Sequence, residues 1–98
     1  MTTAKSERKK NQTTITASVA HDLKKDTKFA IEVQTCLNKF LANDWGTCSE
    51  NDKALNDSDP SSAMGNYPIV TGSEKTLWVK RDDYGGFYLI TILYPSDY

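Results

Sequence analysis

Apolar side chains recur in steps of three and four along residues 27–44, TKFAIEVQTCLNKFLAND. Phe29, Val33, Cys36, Leu37 and Phe40 fall on one stripe of a helix with about 3.6 residues per turn. Asp26 is placed to cap its start, and Asn43 with Gly46 to end it. Ile31 and Leu41 lie off the centre of the stripe and widen the face expected to be buried. On the wet side, Lys28 and Glu32 form an i,i+4 pair in the less favourable order. This stripe reads as core.

Weaker patterns flank it. TTITA (13–17) is rich in β-branched residues and reads as a short strand. Ser18 then heads VAHDLKK as a helix cap, with Val19 and Leu23 on one face. Asp22 near the start and Lys24 and Lys25 near the end suit the helix dipole. Further on, Ser49 and Asp52 have the spacing of a capping box, with Asp in place of Glu or Gln. A short helix over 50–56 follows, with Ala54 and Leu55 expected inside. DSDPSSAMG has the composition of a loop.

Three strand patterns close the chain. Pro68 in NYPIVT indicates an edge or a strand start. KTLWVKR alternates Leu77 and Val79 against Trp78 and Lys80, as a half-buried strand does. GFYLITILY is apolar on both faces, Phe87, Leu89 and Leu93 against Tyr88, Ile90, Ile92 and Tyr94. Such a strand sits centrally, or its second face meets a partner. TGSE and DDYGG supply the turns. The predicted architecture is α+β: N-terminal helices packed on an antiparallel meander of three to four strands, TTITA adding the fourth. The other sheet face, carrying Trp78 and the tyrosines, is expected to be exposed, capped by the helical corner, or shared with a second copy through the last strand.

Composition bounds the function more than the fold. The 98 residues suffice for one domain, read as 13–98, preceded by a disordered basic arm over 1–12 with Lys5, Arg8, Lys9 and Lys10. A net charge of −1 argues against a bulk nucleic-acid binder and against a whole-protein mimic of nucleic acid. No apolar run reaches a membrane span, and the basic N-terminus has no apolar stretch behind it, so the expected location is the cytosol. There Cys36 and Cys48 are read as free thiols.

One stretch concentrates charge. Residues 43–59, NDWGTCSENDKALNDSD, hold Asp44, Glu50, Asp52, Asp57 and Asp59 against Lys53 alone. Most of it is punctuation: a helix stop, a cap, a short helix, a loop. The Gly and closing Glu of a calcium loop are missing, a zinc site lacks ligands, and no phosphate-binding glycine motif occurs. His21 is the single histidine, and no nucleophile elbow accompanies it. No catalytic residue, metal or cofactor is therefore assigned. What remains is a binding surface: the acidic corner facing a partner's lysines and arginines, with Trp45, Trp78 and Tyr84 as apolar anchors. The alternative is nucleic-acid binding by the basic arm (Lys5, Arg8, Lys9, Lys10) with Lys80 and Arg81 beside Phe87 and Tyr88.

The segments ITASVAHDL, CLNKFLANDWGTCSENDKALND, LWVKRDDYGG and ITILYPSDY resemble a group of small, poorly characterised proteins carried by plasmids, integrative elements and phages of bacteria, mainly Firmicutes. The likeness runs over residues 14–98. It implies mobile-element biology and an anti-CRISPR or other anti-defence inhibitor, acting by stoichiometric binding to a host effector such as a Cas nuclease or its guide complex. It brings no catalytic residues.

Overall fold

A computed structural model describes residues 9–98 of the chain. Its elements run β1 (Lys10–Ile15), α1 (Ala17–Lys25), α2 (Thr27–Leu41), α3 (Glu50–Ser58), β2 (Met64–Pro68), β3 (Thr76–Asp83) and β4 (Phe87–Leu93), with 3-10 turns at Pro60–Ser62 and Pro95–Asp97. The fold is α+β, as the helix-then-strand order predicts.

The four strands lie in the order β1-β4-β3-β2. β2, β3 and β4 form the antiparallel meander, but β1 runs parallel to β4, Lys10 opposite Phe87 through Ile15 opposite Ile92. The sheet is therefore mixed, which corrects the purely antiparallel expectation. Strand β1 is joined to β4 by most of the chain, helices included, and a crossover of that kind permits parallel pairing. It also makes β4 a central strand, paired along both edges by β1 and β3. β1 begins at Lys10, inside the stretch read as a disordered arm; residues 1–8 of that stretch lie outside the described residues.

Helices α1 and α2 cover one sheet face. Val19, Phe29, Val33, Cys36 and Phe40 meet Tyr67, Leu77, Val79, Ile90, Ile92 and Tyr94 in a single core. Phe29 stacks on Tyr94 with ring centroids 6.0 Å apart. The stripe of α2 is narrower than expected: Ile31 is 69% exposed and Leu41 48%. Asp26 caps α2 through the Lys28 amide, and Asn43, at φ 63°, ends it. α1 is capped at Thr16, not Ser18, and both hydroxyls donate to Asp97 (2.7 and 2.6 Å).

Three carboxylates hold this layer together. Asp22 is 6% exposed, not a solvated charge at a helix start. It accepts from the Ser73 amide (3.0 Å), the Ser73 hydroxyl (2.6 Å) and the Tyr94 hydroxyl. Glu32 does not pair with Lys28; it accepts from the amides of Val70 (3.0 Å) and Thr71 (2.9 Å) and from the Thr71 hydroxyl (2.5 Å). Asp97 also accepts from the Tyr94 amide (3.0 Å), fixing the C-terminal turn to the start of α1. Gly72 lies between the two loop anchors at φ 84°, where an added Cβ would collide with the Tyr94 hydroxyl and the Phe29 ring.

Candidate functional site

The acidic stretch does fold as a cap, a helix and a loop. Ser49 accepts from the Asp52 amide (3.1 Å) and starts α3, which runs to Ser58, past the expected end at residue 56. Before it, Gly46 (φ 78°) brings the chain alongside the edge of β2. The Asn66 amide donates to the Trp45 carbonyl (3.0 Å) and the Thr47 amide to the Asn66 carbonyl (2.8 Å). An added Cβ at Gly46 would strike the Asn66 carbonyl.

Helix α3 turns a different face inward from the one its apolar residues suggest. Leu55 is 66% exposed and Ala54 is exposed, while Asn56 is buried. The Asn56 side chain accepts from the Met64 amide (3.2 Å) and donates to the Met64 carbonyl (2.9 Å). An amide is the side chain that satisfies both backbone groups at once, and leaving such groups buried and unpaired costs more than burying leucine gains. Asn56 thus pins α3 to the first residue of β2.

Between α3 and the sheet lies a cleft of about 630 Å³, within the ordinary range of ligand-sized sites. Its walls include Asp52, Leu55 and Asp59 from α3 and its cap, and Met64, Asn66 and Trp78 from the sheet. Met64, Asn66 and Trp78 alternate with the core residues Gly65, Tyr67, Leu77 and Val79, so the cleft opens on the face away from α1 and α2. Trp78 is half-buried, opposite Leu93 on β4, with the Tyr98 ring edge-on at 5.6 Å. The second sheet face is thus partly roofed by the helical corner. The tyrosines of β4 and its end, Tyr88 and Tyr94, are not on it; they lie on the helical side with Ile90 and Ile92.

The candidate partner residues separate. All five carboxylates of the corner are exposed, but their engagements differ. Asp52 makes no side-chain hydrogen bond among the described residues. Glu50 lies 3.6 Å from Lys53. Asp44 accepts from the Gly46 amide (3.2 Å). Asp59 accepts from the Ser61 and Ser62 hydroxyls (2.5 and 3.2 Å), which hold its carboxyl below the usual range. Asp57 accepts the Trp45 indole N–H (2.8 Å). Trp45 itself is 3% exposed, edge-on to Phe40 at 5.3 Å. That corrects its place among surface anchors: the ring is core, and its N–H finds a partner as a buried indole requires. Tyr84 is 59% exposed and stacks on Phe87 at 5.4 Å, at the β3–β4 turn, where it lines no part of the cleft.

The basic residues separate too. Lys80 pairs with Asp82 at 2.9 Å and Lys9 with Asp83 at 2.8 Å; each carboxylate raises its lysine's affinity for the proton. Arg81 lies on the opposite face from Lys80, its guanidinium 5.2 Å from the Phe40 ring and donating to the Pro60 carbonyl (2.9 Å). Lys10 is exposed at the start of β1, and Lys5 and Arg8 lie outside the described residues. Strand pairing thus brings Lys9, not Lys80, to the side of the sheet that Arg81 occupies, with Tyr88 between them.

Neither cysteine is activated. Cys36 is buried and its thiol is pushed up to about 11; Cys48 donates weakly to the Trp45 and Met64 carbonyls, and burial raises its pKa as well. Among the described residues no three of His, Cys, Asp and Glu gather as a metal site would need, and no helix is long and apolar enough to cross a membrane. Sequence reasoning missed Leu55, Met64 and Asn66 as site residues. The polar flanks of Leu55 and the alternation of β2 were the available signals.

Fold and site together define a small α+β protein with a helical layer on one sheet face and an acidic cleft on the other. No family model, no curated protein and no solved structure matches the chain.

Proposed function

We propose that this chain works by binding another protein through the cleft beside α3, and that it is an anti-CRISPR or related anti-defence inhibitor of a mobile element. The observation that carries the binding reading is a convergence. Asp52 and Asp59, from the acidic corner, and Trp78, from the sheet, line one open cleft although they lie in different elements. An aromatic anchor within an acidic rim is an arrangement suited to a basic protein surface, because the apolar centre contributes affinity and the charges contribute specificity and rate. The anti-defence reading is carried by the resemblance to mobile-element proteins.

Plasmid interference in a bacterial host with an active CRISPR system tests both. Expression of the chain is expected to restore plasmid uptake, and the inhibition measured with purified effector is expected to be stoichiometric and weaker at high salt. A chain that leaves interference untouched in every CRISPR type tried sinks the anti-CRISPR reading. A chain that inhibits equally well with Asp52→Asn, Asp59→Asn and Trp78→Ala combined sinks the cleft as the binding surface.

A further inference from the structure

We infer that the cleft receives a basic, amphipathic segment of the partner, with two cationic side chains flanking an apolar one. The inference rests on the binding reading above and gives its ligand a chemistry.

The walls impose it. None of the residues lining the cleft is basic. Asp52 and Asp59 are two helical turns apart on α3, about 10 Å along its axis. One guanidinium or ammonium group cannot meet both, so two cations are needed. Between the two carboxylates lies Leu55, opposite Met64 and Trp78, an apolar middle that favours an apolar side chain between the cations. The anions are also differently prepared. The Ser61 and Ser62 hydroxyls orient Asp59, whereas Asp52 is free to turn toward what arrives. In the cleft wall the Asn66 side-chain amide makes no hydrogen bond among the described residues and can accept from a guanidinium donor. An arginine, whose planar fork can give a carboxylate two parallel N–H donors, suits these carboxylates better than a lysine.

The protein carries its own probe. Of its tryptophans, Trp45 is core and Trp78 lines the cleft, so a ligand there changes the fluorescence of Trp78 alone. The titrant is a helical peptide that places two arginines two turns apart with leucine between them. Its counterparts carry lysine or glutamate in place of arginine. The arginine peptide is expected to give a saturable change, the lysine peptide a weaker one, and the glutamate peptide none. Asp52→Asn with Asp59→Asn is expected to weaken binding by about tenfold or more. Leu55→Arg, at an exposed position that the fold does not need, is expected to abolish it.

Four results overturn the inference: no saturable change up to millimolar peptide, an equal response to the glutamate peptide, unchanged affinity in the double Asn variant, or a signal that persists in Trp78→Phe. Inhibition in cells without peptide binding also removes this cleft chemistry while leaving the anti-defence reading. Peptide binding without inhibition supports the cleft and removes the anti-CRISPR reading instead.

Discussion

On the helical side of the sheet, Asp22, Glu32 and Asp97 are each surrounded by amide and hydroxyl donors from distant parts of the chain. At the α3 corner, Glu50 and Asp59 meet only near neighbours, and the Asp52 side chain has no hydrogen-bond partner among the described residues. The same chemical group is consumed by the fold in one region and displayed in the other. What separates them is the supply of donors. The 69–75 loop has unpaired amides that helices α1 and α2 can reach, so carboxylates there close loops. At α3 the one backbone pair needing a partner belongs to Met64, and Asn56 takes it. Asp57 serves the Trp45 indole, whereas Asp52 and the capping Asp59 hold no distant part of the chain and line the cleft.

The tryptophans divide the same way, and the largest expected effect tests that division. Trp45→Ala removes a buried ring from beside Phe40 and leaves Asp57 without its indole donor. It should cost about 3–5 kcal/mol of unfolding free energy in a urea titration. Trp78→Phe should cost far less while changing ligand binding. Equal losses at the two positions would mean that Trp78 is core as well, and the contrast between the regions would fail.

Next comes Asp22→Asn. The substitution leaves the Ser73 and Tyr94 hydroxyls facing a neutral group that accepts less strongly. A clear fall in melting temperature is expected, larger than for any single Asn substitution among the α3 carboxylates. The pH dependence carries the same signature. The Ser73 and Tyr94 hydroxyls hold the Asp22 carboxyl below the usual range, and the Ser18 and Thr16 hydroxyls do the same for Asp97. A carboxyl that ionises more readily folded than unfolded stabilises the fold at neutral pH. That stability is complete above the ordinary carboxylate pKa of about 4 and is lost as pH falls through the lower folded values. The urea midpoint should therefore drop on acidification below about pH 4, and Asp22→Asn should flatten the drop. A midpoint that rises with acid would contradict the assigned hydrogen bonds.

Glu32→Gln is a smaller perturbation. Burial opposes ionisation of Glu32, but the Thr71 hydroxyl and the Thr71 and Val70 amides outweigh it and hold its pKa down. Replacing the charge should cost about 1 kcal/mol and speed hydrogen exchange at the Val70 and Thr71 amides. Unchanged exchange would leave the loop closed by something else.

How much of this was legible in the sequence follows from how local each cause is. The stripe on α2, its stop at Asn43, the Ser49 cap and the alternation of Leu77 and Val79 are set within a few residues, and all could be read. Glu32 could not. Its nearest basic neighbour on the helix is Lys28, but its donors lie 38 and 39 residues away. Asp22 is answered from 51 and 72 residues away. The parallel pairing of β1 was half-legible: TTITA reads as a strand that can add to the sheet, but its partner β4 lies at the other end of the chain, and nothing local sets the direction. For the site, the acidic corner and Trp78 were readable as composition. Their convergence was not, because it depends on Asn56, rather than Leu55, turning inward.

The smallest effect is the sharpest test of that leftover character. Asp52 lies in the first turn of α3, where a negative charge interacts favourably with the helix dipole. Its backbone amide serves the Ser49 cap, and its side chain makes no hydrogen bond among the described residues. Asp52→Asn should therefore change the unfolding free energy by no more than about 0.5 kcal/mol, with the same urea slope as the parent chain. Leu55→Ala should be equally quiet, because the leucine is already in solvent. A loss of several kcal/mol at either position would place α3 with the helical layer, as an element whose side chains hold the fold, and would leave the cleft without a displayed wall.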